Sequence, residues 1–428
     1  MNAPLHSNRL GREIAMPRAM KILLRVLDNL QYGALIVELP DGSIRHFVGR
    51  EAGTSATLSI HDHRFAGAVL RGAEIGLAEA YRDGWCSTAD LTKLLALAIE
   101  NEARLQRIFY SNPLVNLLHR VGHWLRANSR RGSRKNIAAH YDLSNEFYGL
   151  WLDSTMTYSS AWFDGDHSRE LQMAQDAKYA RIVEQLGIDH SHHVLEIGCG
   201  WGGFAEYAAR NTGAKITGIT VSKAQLGFAQ ERIRRAGLED RGTLKFCDYR
   251  DIDGAFDRVV SIEMFEAVGE SYWPSFFAVV AARLKHRGRA LVQTITIAEE
   301  LFAHYRLRVD FIQRYIFPGG MLPSPARFTA AARHAGLVVP AEHRFGHDYA
   351  ETLRHWTQRL DQNLEQAERL AGTERLRVWR LYLRAARNGF EVGNTSVYQM
   401  LCSRPLTQPP SAMPTGARHP EARRRVPA

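Results

Sequence analysis

The sequence predicts an α/β protein: a doubly wound, Rossmann-like parallel sheet over most of its length, with a smaller α/β module in front. Three observations carry this. Residues 194–203 read Val-Leu-Glu-Ile-Gly-Cys-Gly-Trp-Gly-Gly, an apolar strand with a carboxylate near its end that runs straight into a glycine-rich turn. Strand and helix patterns then alternate in the order βαβαββ, which builds a parallel sheet. The residues ahead of them follow a different pattern, with a hairpin and separate amphipathic helices.

In chain order, Leu23 to Leu30 is a short helical pattern, and Ala34 to Glu38 and Ser43 to Val48 form a hairpin around Pro40-Asp41-Gly42. Leu91 to Leu105 is an amphipathic helix. A basic run follows, with Arg120, Arg126, Arg130, Arg131, Arg134 and Lys135 interleaved with Trp124 and Leu125 and no acid among them. Such a stretch suits anionic headgroups; a solvated linker is the alternative. The expected organisation is a lipid-binding-like N-terminal domain over 1–118, a basic linker over 119–135, a catalytic domain over 136–402 and a Pro-rich, disordered tail over 403–428.

In the catalytic range the helix-compatible stretch Phe204 to Arg210 follows the turn. A second strand, Lys215 to Thr220, leads to the helical Ser222 to Arg235. A third, Thr243 to Cys247, ends at Asp248, and a fourth, Phe256 to Ile262, runs into Glu263-Met-Phe-Glu266. Gly198, Gly200 and Gly202 let backbone approach a ligand where a Cβ would collide, and the next helix offers unpaired N–H groups at its start. A nicotinamide dinucleotide site would need an acid about twenty positions on for the ribose, but Ile216-Thr-Gly-Ile-Thr220-Val-Ser stands there. Glu196, two residues before Gly198, lies where S-adenosylmethionine (SAM) methyltransferases place a carboxylate near the amino-acid part of SAM. The fold is therefore expected to be that of a class I SAM-dependent methyltransferase, with SAM as cofactor.

Composition narrows the class. A chain of 428 residues, 45% apolar, can bury a sizeable core in two domains. No apolar run approaches the roughly 20 residues that span a bilayer, and Met-Asn-Ala-Pro-Leu-His-Ser lacks the hydrophobic core of a signal peptide. A cytoplasmic protein, peripheral at the inner face of the membrane, is expected. The four cysteines show no paired spacing, so neither disulfides nor zinc are indicated. His61-Asp62-His63 lacks a third ligand, and no metal is assigned. The net charge of +10 points to an anionic partner.

Between Ala139 and Phe163 stand seven aromatics, more than one helix face needs, and aromatic faces stabilise cations such as a sulfonium. Seven motifs, His140-Tyr-Asp-Leu-Ser-Asn, Thr157-Tyr-Ser-Ser-Ala-Trp-Phe, Leu195-Glu-Ile-Gly-Cys-Gly-Trp-Gly, Ile219-Thr-Val-Ser-Lys-Ala-Gln225, Ser261-Ile-Glu-Met-Phe-Glu266, Tyr315-Ile-Phe-Pro-Gly-Gly-Met-Leu-Pro-Ser324 and Phe345-Gly-His-Asp-Tyr349, occur in this order. Together they resemble the cyclopropane-fatty-acyl-phospholipid synthase family, which includes the mycolic acid cyclopropane synthases. The resemblance covers about residues 136 to 400 closely and the N-terminal module more loosely.

The resemblance implies transfer of the SAM methyl to a cis double bond of an acyl chain already built into a phospholipid, then proton loss and ring closure to a cyclopropane. The alternative is a C-methyltransferase that leaves a methyl-branched or methylated unsaturated chain. It places Tyr158, Ser159, Glu196, Gly198, Gly200, Gly202, Thr220, Gln225, Asp248, Tyr249 and Ile262 around the cofactor, with Thr220 and Gln225 on the ribose side. It also implies a bicarbonate ion as proton acceptor, bound among Ser160, Glu266, Gln293, Tyr349 and Ile295. Ser160 stands where the family has Cys and Gln293 where it has His. Both still donate hydrogen bonds, but the protonatable imidazole is gone, so methyl transfer is more secure than ring closure. Glu266 could instead be a salt-bridged or capping carboxylate and Tyr349 a packing wall, while Gln293 follows the strand Arg289 to Val292, where α/β folds place ligand groups.

The expected partners are an unsaturated phospholipid and a membrane surface, and a homodimer is compatible with the sequence. Nucleic acid is not expected, because Glu263-Met-Phe-Glu266 stands where a base-flipping Asn-Pro-Pro-Tyr would. A non-catalytic lipid-binding module with a vestigial SAM fold is opposed by the intact glycines.

Overall fold

The computed structural model describes residues 16–102, 104–105 and 143–405. The basic run from Arg120 to Lys135, the motif residues 136–142 and the Pro-rich stretch from 406 onward lie outside the described residues. The chain divides into two compact units. Among the described residues, one unit holds those up to 105 with 307–318 and 356–389, and the other holds 143–306, 319–355 and 390–405.

In the first unit, Tyr32–Glu38 (β1) and Ile44–Val48 (β2) pair antiparallel as the hairpin pattern requires. Asp41 closes the turn by accepting the Ser43 N–H at 2.9 Å. Glu51–Ile60 (β3) pairs parallel to β1, and Cys86–Ser87 (β4) antiparallel to β3, giving the order β2-β1-β3-β4. The first helix is Arg18–Leu27, displaced toward the N-terminus from the expected Leu23–Leu30, because Pro17 supplies a fixed φ at its start. The helix over Leu91–Glu100 is capped by Asp90 and stops short of Leu105. Asn101 turns its side chain instead to the start of β1, accepting from Gln31 N at 2.8 Å and Tyr32 N at 3.1 Å.

Three side-chain bonds show why distant segments join this unit. Tyr315 donates to Glu79 at 2.6 Å, Arg377 to the Tyr81 carbonyl at 3.0 Å, and Asn388 to the Thr92 carbonyl at 3.0 Å. The sequence reading drew one continuous catalytic range, 136–402; two stretches of it cluster with the N-terminal residues.

The second unit is built on His193–Ile197 (β5), Lys215–Thr220 (β6), Gly242–Phe246 (β7), Phe256–Ile262 (β8), Leu284–Ile297 (β9), Val338–Arg344 (β10) and Thr395–Ser403 (β11). They form one sheet in the order β10-β11-β9-β8-β5-β6-β7, with β11 antiparallel to both neighbours. The first four strands agree with the sequence reading to within a residue. β9 differs: it does not end at Val292 but continues through Gln293 to Ile297, because Gln293, Thr294 and Ile295 go on pairing with Gln399, Tyr398 and Val397 of β11.

Alternation along the strands divides the core into two layers. Leu195 and Ile197 pack with Val259, Phe276 and Val292, whereas Val194 packs with Val260, Leu291 and Ile182 of the helix Leu171–Leu186. Each of these buried aliphatics contributes about 1.5–3 kcal/mol. Glu196 shares the Val194 face. The chain leaves β5 for β6 and β7 and returns to β8 on the other side of β5, so the strand order reverses between β5 and β8. That is where an open α/β sheet binds its ligand.

Candidate active site

The β5 end and its turn come first. Glu196 is buried, its Oε2 has no hydrogen-bond partner, and burial pushes its pKa up to about 8 against the pull of Lys178. Lys178, from the helix Leu171–Leu186, is buried too; it donates to Ser159 Oγ at 2.6 Å and Gln175 Oε1 at 2.7 Å. Desolvation pulls it down to about 7, opposed by Glu263, Asp153 and Glu196. In the turn, Gly198 and Cys199 both donate to the Ile219 carbonyl at 2.9 Å. A Cβ on Gly198 would meet Met264 at 2.8 Å and one on Gly202 would meet Ala229 at 3.0 Å, but one on Gly200 would have nothing within 4 Å. Gly200 therefore borders open space while its neighbours face packed atoms.

The other expected cofactor residues lie on the same strand ends. Thr220 Oγ1 donates to Gln225 Oε1 at 3.1 Å, both side chains buried. Asp248, just past β7, is buried and held by Arg250 at 2.6 Å, while the Tyr249 ring packs on Phe276 with centroids 5.6 Å apart. Ile262 ends β8. Tyr158, half-buried, packs on Tyr148 at 5.9 Å and Trp151 at 5.3 Å, and Tyr148 on Trp201 at 5.0 Å. An orphaned buried carboxylate oxygen for an ammonium, aromatic faces for a sulfonium and open space at Gly200 fit SAM.

Beyond β8 stand two carboxylates. Glu263 has a φ of 49°, a left-handed conformation that costs a non-glycine residue roughly 1–3 kcal/mol. Its own N–H donates to the Gln293 carbonyl at 2.8 Å. Its carboxylate accepts three donors: Ser160 N at 2.9 Å, Gln293 Nε2 at 2.8 Å and the Tyr349 hydroxyl at 2.7 Å. Gln399 fixes the orientation of the Gln293 amide by donating to its Oε1 at 3.0 Å, so Nε2 is the end turned to Glu263. Burial raises the Glu263 pKa, while Lys178 and the three donors oppose the rise.

Glu266 accepts from Thr294 Oγ1 at 2.9 Å and from the Ile295 N–H. Its Oε2 has no partner, and burial together with the charge of Glu263 pushes its pKa up to about 8. The two environments differ: Glu263 is held by three donors and by the charge of Lys178, which oppose the rise, whereas Glu266 lacks those partners and lies beside the charge of Glu263.

The loop that brings Ser160 here is tied to the helix Gly346–Gln362, which carries Tyr349. Ala161 N donates to Thr352 Oγ1 at 3.0 Å and Phe163 N to Asp348 at 2.9 Å.

The sequence profile of mycolic acid cyclopropane synthetase matches residues 128–400. The chain belongs to this family. It is 37% identical over 344 residues to the tuberculostearic acid methyltransferase UfaA1 of Mycobacterium tuberculosis, which covers 76% of this chain and 78% of that protein. Identity to the cyclopropane-fatty-acyl-phospholipid synthase of Escherichia coli is 35% over 361 residues, 82% of this chain and 88% of the relative. Among solved structures, mycolic acid cyclopropane synthase CmaA1 complexed with S-adenosylhomocysteine (SAH) and CTAB has a TM-score of 0.60 at 32% identity, over 63% of this chain and 97% of that one. The protein is thus a SAM-dependent methyltransferase of the class that methylates or cyclopropanates lipid acyl chains. Among the described residues, no helix is long and apolar enough to cross a membrane.

The five residues expected around a bicarbonate of this family do not share one centre. Ser160, Gln293 and Tyr349 converge on Glu263; Ile295 meets Glu266. Ser160 contributes its backbone N–H, its hydroxyl being turned to the Ala161 carbonyl at 2.9 Å. The expected bicarbonate does not fit this arrangement, because the donors that would hold it already serve the protein's own carboxylates.

Sequence reasoning passed over Glu263, Lys178 and Gln399. Two of these left a signal. Glu263 is the first residue after β8 at the switch point, next to the strand whose penultimate residue is Glu196. Lys178 falls on the stripe Ala174, Lys178, Ile182 that its helix buries, where a lysine has no reason to be unless it serves a site.

Proposed function

We propose that this enzyme adds a one-carbon unit from SAM to the cis double bond of an unsaturated acyl chain in a membrane phospholipid, giving a cyclopropane. The observation that carries the reading is the set of acids at the ends of β5 and β8, the buried Glu196 with its unpartnered oxygen and the half-buried Glu263 and Glu266, together with the open space at Gly200 in the β5 turn. When bound, SAM supplies a methyl electrophile: the alkene π pair makes the new C–C bond, the S–C pair leaves on SAH, and a cation remains on the chain. The site suits that cation. A carboxylate fixed by protein donors, as Glu263 is, stabilises developing positive charge without reorganisation, and it can receive a proton. Glu196 holds the cofactor's ammonium, Thr220 and Gln225 its ribose, and Tyr349, Gln293 and the Ser160 N–H fix the geometry of Glu263.

The phospholipid follows from the name of the E. coli relative and from the basic run Arg120 to Lys135, which suits a peripheral position on an anionic cytoplasmic face. A second reading, a methylated unsaturated chain, is favoured by Ser160 and Gln293 in place of the family's Cys and His. The relative from Pseudomonas putida, 38% identical over 284 residues, is named a probable fatty acid methyltransferase. The test is SAH release by purified protein on vesicles of dioleoyl against distearoyl phospholipid. Release only with the unsaturated lipid supports the proposal, and equal release with both rejects it.

A further inference from the structure

Glu263 sits as a bound anion would. Three donors from three separate parts of the chain, the Ser160 N–H, the Gln293 amide and the Tyr349 hydroxyl, close on its two oxygens at 2.7–2.9 Å. A fourth, the Ile295 N–H, serves Glu266. These are the donors that the family resemblance assigns to bicarbonate. A free anion would have to displace a carboxylate already attached to the chain, and would add negative charge beside two acids whose pKa values are already raised. The backbone gives independent support. Glu263 holds its left-handed φ of 49° just where β8 ends, a strained conformation that turns the side chain back among these donors and that glycine would adopt freely.

We propose that Glu263 is the resident base of this site, a side-chain carboxylate standing in the position of the family's bicarbonate, and that turnover needs no dissolved anion. The inference rests on the one-carbon transfer proposed above. After that transfer the chain carries a cation beside the new methyl-bearing carbon. One C–H bond of the added methyl breaks, its electron pair closes the three-membered ring, and the proton goes to Glu263. Loss of a proton from a neighbouring chain carbon to the same acceptor would leave a methylated alkene. No oxidant or reductant enters either route. Gln399, bonded to Gln293 at 3.0 Å, acts as a positioning residue.

The test compares the parent with Glu263→Gly and Glu263→Gln in CO2-free buffer, with SAM titrated calorimetrically to show that each variant keeps its cofactor site. The glycine variant relieves the backbone and opens a hole the size of the lost carboxylate. We expect parent turnover to be indifferent to added bicarbonate and both variants to lose about 10²–10⁴-fold. Bicarbonate or formate should restore activity to Glu263→Gly but not to Glu263→Gln, whose amide fills the hole. A second arm needs no lipid: carbon-13 NMR of labelled bicarbonate should show binding to Glu263→Gly and none to the parent. Bicarbonate binding by the parent, several-fold stimulation of it by bicarbonate, or parent-like turnover in Glu263→Gln overturns the proposal. Should the parent methylate no unsaturated phospholipid, the reading of the function fails, and the binding arm still decides the anion site.

Discussion

Replacing Gly200 by alanine separates the cofactor role of the β5 turn from its structural role. Gly200 has a φ of 51°, and a Cβ built on it would find no atom within 4 Å. The apo variant therefore carries only left-handed strain, about 1–2 kcal/mol, and folds. Gly198→Ala would add a clash with Met264 at 2.8 Å and Gly202→Ala one with Ala229 at 3.0 Å, so both should lose more stability. If SAM uses the open space at Gly200, the new methyl overpacks it at about 1–3 kcal/mol, which raises the SAM Kd by roughly 5- to 150-fold. Gly200→Val, with a branched Cβ, should abolish binding. Calorimetric titration with SAM, alongside a thermal melt of each apo protein, reads both quantities. A folded Gly200→Ala variant that binds SAM within twofold of the parent would refute the assignment of this turn to the cofactor.

Three further outcomes are expected. Glu196 is raised to about 8 in the free protein, and the SAM ammonium favours its ionised form, so binding releases a proton. SAM affinity should climb from pH 6 to 8 and then level off, and Glu196→Gln should weaken binding and flatten the slope, as calorimetry in buffers of different ionisation enthalpy would show. Glu266 moves from an ordinary 4.5 to about 8 on folding; the folded state therefore binds the extra proton between these values, and stability falls as pH rises through them, by at most about 1.4 kcal/mol per unit. Urea midpoints at pH 5 and pH 8 should fall less in Glu266→Gln than in the parent. Changing Arg130, Arg131, Arg134 and Lys135 to Gln should reduce sedimentation with anionic vesicles at low salt, an effect that fades as ionic strength shortens the screening length to about 8 Å.

The sheet could be read where a strand is apolar and bounded by glycine or by a capping residue, as β5, β6 and β8 are. β3 could not, because its first five residues are exposed or half-exposed and alternation begins only at Ala56. The joining of 307–318 and 356–389 to the N-terminal unit rests on pairs such as Tyr315 with Glu79 and Asn388 with Thr92, separated by hundreds of positions. In the site, Glu196 and the glycines were legible because strand, turn and helix are contiguous. The choice between Glu263 and Glu266 was not, for it turns on one positive φ that residue spacing does not report. Ser160 shows a similar limit: its type suggested a hydroxyl donor, whereas its backbone N–H makes the contact.

The most direct test of one-carbon transfer to an unsaturated lipid is mass analysis of fatty acyl chains after purified protein is incubated with dioleoyl phospholipid vesicles and SAM bearing a fully deuterated methyl. The account predicts chains heavier by one methylene that keep two of the three deuterons, with an upfield ring-methylene signal in the proton NMR of an unlabelled sample. Chains that keep all three deuterons would mean proton loss from the chain itself and a methylated alkene. No label in acyl chains, from protein that binds SAM, would contradict the account.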